Sequence, residues 1–333
     1  MKMRTLGRVG PSVSAFGLGC MRMSNFPGGP PPSLAADEES VATIEAALDA
    51  GITLLNTGDF YGVGHNETIV AKAIKQRRGQ AFLSVKCGAL WSPSGAYLGP
   101  DCRPTSIKNF ASYSLARLGV DVIDLYQVGR ADPSVPYEET IGAIADLVAE
   151  GKVRYVGVSE ITADQLRRAH KTHPIAAVEV EYSLACRFIE AEILPTAREL
   201  GVGVIPYRVV TQGLLAGTIK SEQDVRGIAA SFPRFQGENL KENLQAVGFL
   251  ERLAKNRECT SAQLALAWVL SKGEDFVPVI GMSRRSRLPE NLHALEIVLT
   301  SDEKAELERV FAPGAIKGDR YPRHYVGLDP VKA

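Results

Sequence analysis

Short apolar runs alternate with amphipathic stretches along most of the chain. Eight runs have the length of β-strands, at residues 15–18, 53–56, 82–85, 123–127, 155–158, 178–181, 203–207 and 277–280. Between them, apolar positions recur with helical spacing. Residues 38–50 place Val41, Ile44, Ala47 and Leu48 on one face, with Gly51 as a natural stop. Residues 137–150 bring Ile141, Ile144, Leu147 and Val148 together before Gly151, and residues 189–200 end at Gly201. Residues 261–271 are apolar on most sides, as expected of a helix packed against a sheet.

Eight strand-and-helix units with short links predict a parallel sheet with right-handed crossovers. Eight is also the number that closes a (β/α)8 barrel. An open doubly wound sheet is the alternative. It would carry a glycine-rich phosphate turn after the first strand, but Phe16-Gly17-Leu18-Gly19-Cys20 lacks the third glycine and no helix follows at once. The expected architecture is therefore one α/β (β/α)8 TIM barrel over residues 1–333, with an N-terminal β-hairpin and long loops at the C-terminal face. Three segments break the repeat: the Pro- and Gly-rich residues 24–36, residues 88–104, and residues 211–237. All follow strands, so on a barrel they rise from the face where active sites lie.

Composition narrows the function classes. Among 333 residues, 38 basic side chains balance 38 acidic ones, so no global charge draws the chain to nucleic acid or an anionic membrane. Cys20, Cys87, Cys102, Cys186 and Cys259 are odd in number and form no CxxC pair, the pattern of reduced thiols in a cytoplasmic protein. No apolar run reaches the ~18 residues that span a bilayer. His170 and His173 have no third ligand in view, so no metal is expected. Asn66-Glu67-Thr68 fits a glycosylation pattern by accident if the chain is not secreted.

The chemistry concentrates on two residues beyond strands. Tyr61 closes the segment from Leu54 to Gly62, and Lys86 ends the run from Phe82. A free phenol has a pKa of roughly 10. A nearby ammonium favours its ionised form and eases proton exchange with a carbonyl oxygen. With Phe16-Gly17-Leu18-Gly19, Thr57-Gly58-Asp59-Phe60-Tyr61-Gly62 and Asn66-Glu67, Leu83-Ser84-Val85-Lys86, Leu125-Tyr126-Gln127, Val156-Gly157-Val158-Ser159-Glu160, Gly213-Leu214-Leu215-Ala216-Gly217, the run from Gln263 to Leu270, and Glu290-Asn291, the chain resembles the aldo-keto reductases over nearly its whole length. It is most similar to the bacterial and plant type. The resemblance implies a barrel that binds NADP(H) in extended form and reduces small-molecule aldehydes or ketones.

Carried over residue by residue, the resemblance makes Tyr61 the proton donor and Lys86 its tuner. Two other positions depart from the family's pattern. Asn56 stands where the family has an aspartate that holds the lysine, and Gly129 stands where it has a histidine. Asn56 can accept a hydrogen bond from Lys86 but supplies no charge, so a lowered Lys86 pKa is expected. Asp59 could compensate. Gly129 removes a donor that in a catalytic site can be worth roughly 2.7–4 kcal/mol, and opens space that a bulky ketone or keto-sugar-like substrate, a water or Arg130 could fill. Trp91 is a further candidate for the substrate pocket.

At the cofactor, the resemblance implies that Tyr207 stacks on the nicotinamide and that Ser159 bonds its carboxamide. Glu179 stands where the family often has a glutamine in the sixth strand, and Glu160 where it often has an asparagine. Gln212, Gly213 and Leu214 would cover the pyrophosphate with backbone N–H groups. Beyond Gly281, Arg284, Arg285 and Arg287 form a strong anion site, with Arg285 and Arg287 at the 2′-phosphate and Glu290 and Asn291 near the adenine. Two rival classes remain open. One is an NADP(H)-binding regulatory or redox-sensing protein with little turnover, suggested by Asn56 and Gly129. The other is a lyase using Lys86 as a Schiff base, which would leave the arginines unused. A monomer or small homo-oligomer is expected.

Overall fold

The computed structural model describes residues 1–8, 10–25 and 33–322. Most of the Pro- and Gly-rich segment expected as a loop at 24–36 lies outside the described residues. All eight expected strands form, at Gly17–Gly19, Leu54–Gly58, Phe82–Cys87, Ile123–Val128, Val153–Ser159, Ile175–Glu181, Gly203–Tyr207 and Val279–Gly281. They pair in parallel in the order seventh, sixth, fifth, fourth, third, second, first, eighth. The ring closes between the seventh and eighth strands, where the Val204 N–H donates to Asp275 O and the Val277 N–H to Val204 O, each at 2.8 Å. The (β/α)8 barrel is therefore the observed architecture.

The helices begin and end where local chemistry allows. Ser33 caps the helix Leu34–Asp49 through the Ala36 N–H, four residues before the expected start. Thr162 and Thr260 form reciprocal capping boxes with Gln165 and Gln263. Gly201 closes the helix Ile193–Leu200 in the left-handed conformation that a side chain disfavours. That helix is shorter than expected, because residues 188–190 form a separate 3₁₀ turn.

Two apolar layers follow from the strand alternation. The larger packs the outward strand residues against the helices. The smaller fills the floor of the barrel, where Leu54, Leu125, Ala177, Ile205 and Val277 meet Leu6 and Val13 of the N-terminal hairpin, Met3–Thr5 with Ser12–Ser14. The bottom is thus plugged, and polar side chains gather at the other end. Of the expected loops, residues 88–104 contain an antiparallel hairpin, Ala89–Trp91 with Tyr97–Pro100. Residues 211–237 wind through four short 3₁₀ turns.

Candidate active site

Inward-facing strand positions above the floor are polar. Asn56 of the second strand, Ser84 and Lys86 of the third, Gln127 of the fourth and Glu179 of the sixth meet in one layer, all buried. Lys86 Nζ donates to Asn56 Oδ1 at 2.6 Å and lies 3.1 Å from Glu179 Oε1 and 3.2 Å from Glu179 Oε2. The amides of Asn56 and Gln127 donate to the same Glu179 Oε2, at 2.7 and 2.5 Å. Gly157 makes room for this layer, since a Cβ there would stand 2.8 Å from Gln127 Oε1. Sequence reasoning missed Ser84 and Gln127 as site residues. Their signal was available: polar residues at alternate positions of otherwise apolar strands.

Tyr61 and Lys86 come together as expected. The ammonium lies 5.3 Å from the centroid of the Tyr61 ring, close enough for the two groups to interact electrostatically. Their electrostatics differ from expectation. Burial raises the Tyr61 pKa and outweighs the opposing pull of Lys86, so the phenol ends above its ordinary value. Burial would lower the pKa of Lys86, but Glu179 and Tyr61 outweigh it and the ammonium ends higher, not lower. The missing aspartate is therefore offset, and not by Asp59. That carboxyl is buried apart from Lys86, with burial and Glu67 holding its pKa well above the usual range.

Glu179, expected at the nicotinamide, contacts Lys86. Glu160, just beyond Ser159, is also engaged. Its carboxylate accepts from the Glu181 N–H at 2.8 Å and from Arg320 at 2.6 Å. The space expected beside Gly129 is partly filled. A Cβ at Gly129 would meet the Phe60 ring edge at 3.4 Å, and that ring packs edge-on against Tyr61 with centroids 4.8 Å apart. Arg130 turns toward two phenols, donating to Tyr321 Oη at 2.8 Å and approaching Tyr207 Oη at 3.5 Å. Trp91 stands half-buried in the hairpin after the third strand, edge-on to Tyr97.

The residues expected at a dinucleotide line the rest of the rim. Gly19 and Gly281 are register partners at the ends of the first and eighth strands, leaving that stretch of rim without side chains. A Cβ at Gly281 would meet only Gly19 O, at 4.0 Å. Thr211, Gln212 and Gly213 all have positive φ, in the 3₁₀ turn Thr211–Ala216 that follows the seventh strand. Arg285 pairs with Glu39 at 2.8 Å and Arg287 with Glu290 at 2.9 Å, both guanidiniums more than half exposed. Asn291 donates to Arg287 O at 3.1 Å, and Thr260 to Glu290 at 3.1 Å. A side-chain-free strip, a backbone turn and exposed guanidiniums suit a long, multiply anionic dinucleotide.

A barrel with a buried lysine beside a half-buried tyrosine at the ends of its strands is the arrangement that the sequence resemblance implies. Residues 16–312 match the Aldo/keto reductase family, and the chain belongs to it. It is 39% identical over 326 residues to probable aldo-keto reductase 1 of Glycine max, covering 97% of this chain and 92% of that protein. Among solved structures, the glycerol dehydrogenase AKR11B4 from Gluconobacter oxydans superposes with a TM-score of 0.84 at 28% identity, over 95% of this chain and 97% of that one. An aldo-keto reductase from Klebsiella pneumoniae, solved in complex with NADPH, gives 0.72 at 26% identity, over 93% and 96%.

Proposed function

We propose that the protein reduces an aldehyde or ketone to the alcohol, or runs the reverse reaction, with NADP(H) as cofactor and Tyr61 as proton donor. The observation that carries this reading is the contact between the Tyr61 phenol and a lysine held charged by a buried carboxylate. NADPH, when bound, supplies the hydride to the carbonyl carbon. Tyr61 gives its proton to the carbonyl oxygen, and Lys86 stabilises the phenolate left behind until solvent restores the proton. Tyr207, Ser159, Gln212, Gly213, Leu214, Gly281, Arg285, Arg287, Glu290 and Asn291 would hold the dinucleotide. Phe60, Gly129, Arg130 and Trp91 would form the substrate wall, with Arg130 as a donor in place of the absent histidine. Aromatic faces beside a guanidinium favour a bulky ketone or a keto-sugar-like substrate over a small aldehyde.

The low-turnover alternative loses part of its motivation, since the charge absent at Asn56 is present at Glu179. Tyr61→Phe tests the reading directly. General acid catalysis is worth about 10²–10⁴-fold, so the variant should lose that much ketone reduction while NADPH binding, followed by fluorescence titration, stays near wild type. Full turnover by the variant would end the proposal.

A further inference from the structure

We infer that Glu179 is the positioning residue for Lys86, so that the counter-charge of the proton-transfer pair has moved from the second strand to the sixth. The inference rests on the reading that Tyr61 and Lys86 carry proton transfer. Glu179 is the one carboxylate in contact with the ammonium among the described residues, and both side chains are buried, at 4% and 6% exposure. Its surroundings are all donors: Lys86, the Asn56 amide and the Gln127 amide. An ionised carboxylate, which only accepts, is the side chain that matches three donors. Asn56 completes the arrangement with both ends of its amide. Its oxygen accepts from Lys86 and its nitrogen donates to Glu179, so it bridges cation and anion.

The pair at positions 56 and 179 is therefore reciprocal. An aspartate at 56 with a glutamine at 179 would keep the same total charge, with the hydrogen bond between them reversed. Neither single exchange does this. Glu179→Gln leaves a buried ammonium among neutral partners. Asn56→Asp places two carboxylates where 2.7 Å now separates an amide nitrogen from a carboxylate oxygen. The other titratable groups facing this site are Tyr61 beyond the second strand, Cys20 beyond the first and Arg130 beyond the fourth. Arg130 and Cys20 supply no negative charge at neutral pH, because burial raises the Cys20 thiol to about 12. Glu179 is left as the anion that holds Lys86 charged.

The test compares wild type, Glu179→Gln, Asn56→Asp, the Asn56→Asp/Glu179→Gln exchange and Tyr61→Phe. Three quantities are read: ketone-reduction kcat across pH, NADPH affinity by fluorescence, and the melting temperature of the cofactor-free protein. Glu179→Gln should lower kcat at least tenfold and move the alkaline limb of the profile down by about one to three pH units, as expected for losing an opposite charge within 4–6 Å. NADPH affinity should change much less. The melting temperature should fall by about 4–7 °C for a broken buried pair. The exchange variant should recover the pH profile and most of the melting temperature, while Asn56→Asp alone should not improve on wild type. If Glu179→Gln does not fold, recovery of folding and turnover in the exchange variant still supports the inference. It is overturned if Glu179→Gln keeps the wild-type pH profile, or if the exchange variant is no better than Glu179→Gln. Loss of turnover in Tyr61→Phe alone, with Glu179→Gln unaffected, would leave the proposed reaction standing and remove only this role.

Discussion

At the scale of single residues, Gly129 and Phe60 decide the shape of the substrate wall. The sequence identifies Gly129 as a missing side chain but is silent on its neighbour, because Phe60 lies in the turn beside Tyr61 and only the fold brings that turn against the end of the fourth strand. The ring edge 3.4 Å from a Cβ at Gly129 is ordinary contact, so Ala fits and a longer side chain must displace Phe60. Gly129→His should therefore lower kcat/KM for bulky ketones by roughly tenfold or more, while small aldehydes lose less or gain from the added donor. Steady-state kinetics on a matched pair of substrates checks this. Equal effects on both would show that the position does not set substrate size. The same limit explains what was readable at the catalytic layer. Tyr61 and Lys86 were legible because each stands at or just past the end of a strand-like run, and Asn56 because the family resemblance marks its position. The role of Glu179 was not, because it lies 123 residues from Asn56 and its partner depends on how the barrel closes. Both exchanges were visible separately, and the expected fall in the Lys86 pKa came from treating one without the other.

At the scale of elements, strand identity was the most readable property of the chain. Continuous apolar runs such as that before Lys86 have one stable fate in a sheet covered by helices. Boundaries moved by one to three residues at most strands, since residues such as Thr57, Gly58 and Lys86 prolong strands that an apolar pattern would end. The turn after the eighth strand was legible as an anion site from its arginines, but their present partners were not. Arg285 is anchored to Glu39 of the first helix by both its backbone N–H and its guanidinium, which lowers the pKa of that carboxyl. Among the described residues, the Arg287 guanidinium pairs only with Glu290, three residues along the chain. An exposed pair of that kind contributes about 0–1 kcal/mol, so a phosphate can replace it at small cost. Arg287→Ala should then weaken NADPH binding about tenfold to a hundredfold, the range of a charge-assisted hydrogen bond, with little change for NADH. Titration with both dinucleotides measures the difference, and equal weakening of both would remove Arg287 from the 2′-phosphate.

At the scale of the whole molecule, two buried glutamates join the ends of three strands to the chain's later segments. Glu181, at the end of the sixth strand, contacts Arg208 beyond the seventh at 2.9 Å, Arg234 of the long loop at 3.2 Å and Arg320 at 3.6 Å. Glu160, beyond the fifth strand, meets Arg320 at 2.6 Å. Arg320 also lies 5.0 Å from the ring of Tyr321, the residue that Arg130 contacts, so the loop, the C-terminal segment and the proposed substrate wall share one charged layer. Burial opposes ionisation of both carboxylates, yet the arginines prevail. Glu160 ends at a pKa of about 2 against an ordinary 4.5, and Glu181 is also lowered. A depressed carboxylate pKa stabilises the folded state in full above the unfolded value, and that contribution is lost as pH falls toward the folded one. The relevant window thus runs from about 4.5 down to about 2, and near neutral pH the contribution of these groups is present in full and should not vary with pH. Glu160→Gln should lower stability at pH 7 by about 3–5 kcal/mol, since Arg320 loses a buried partner. The gap to wild type should close as pH falls through the window, because protonation does to wild type what the substitution has already done. Melting curves from pH 7 to pH 2 measure this, and parallel curves across the window would show that Glu160 does not titrate with folding.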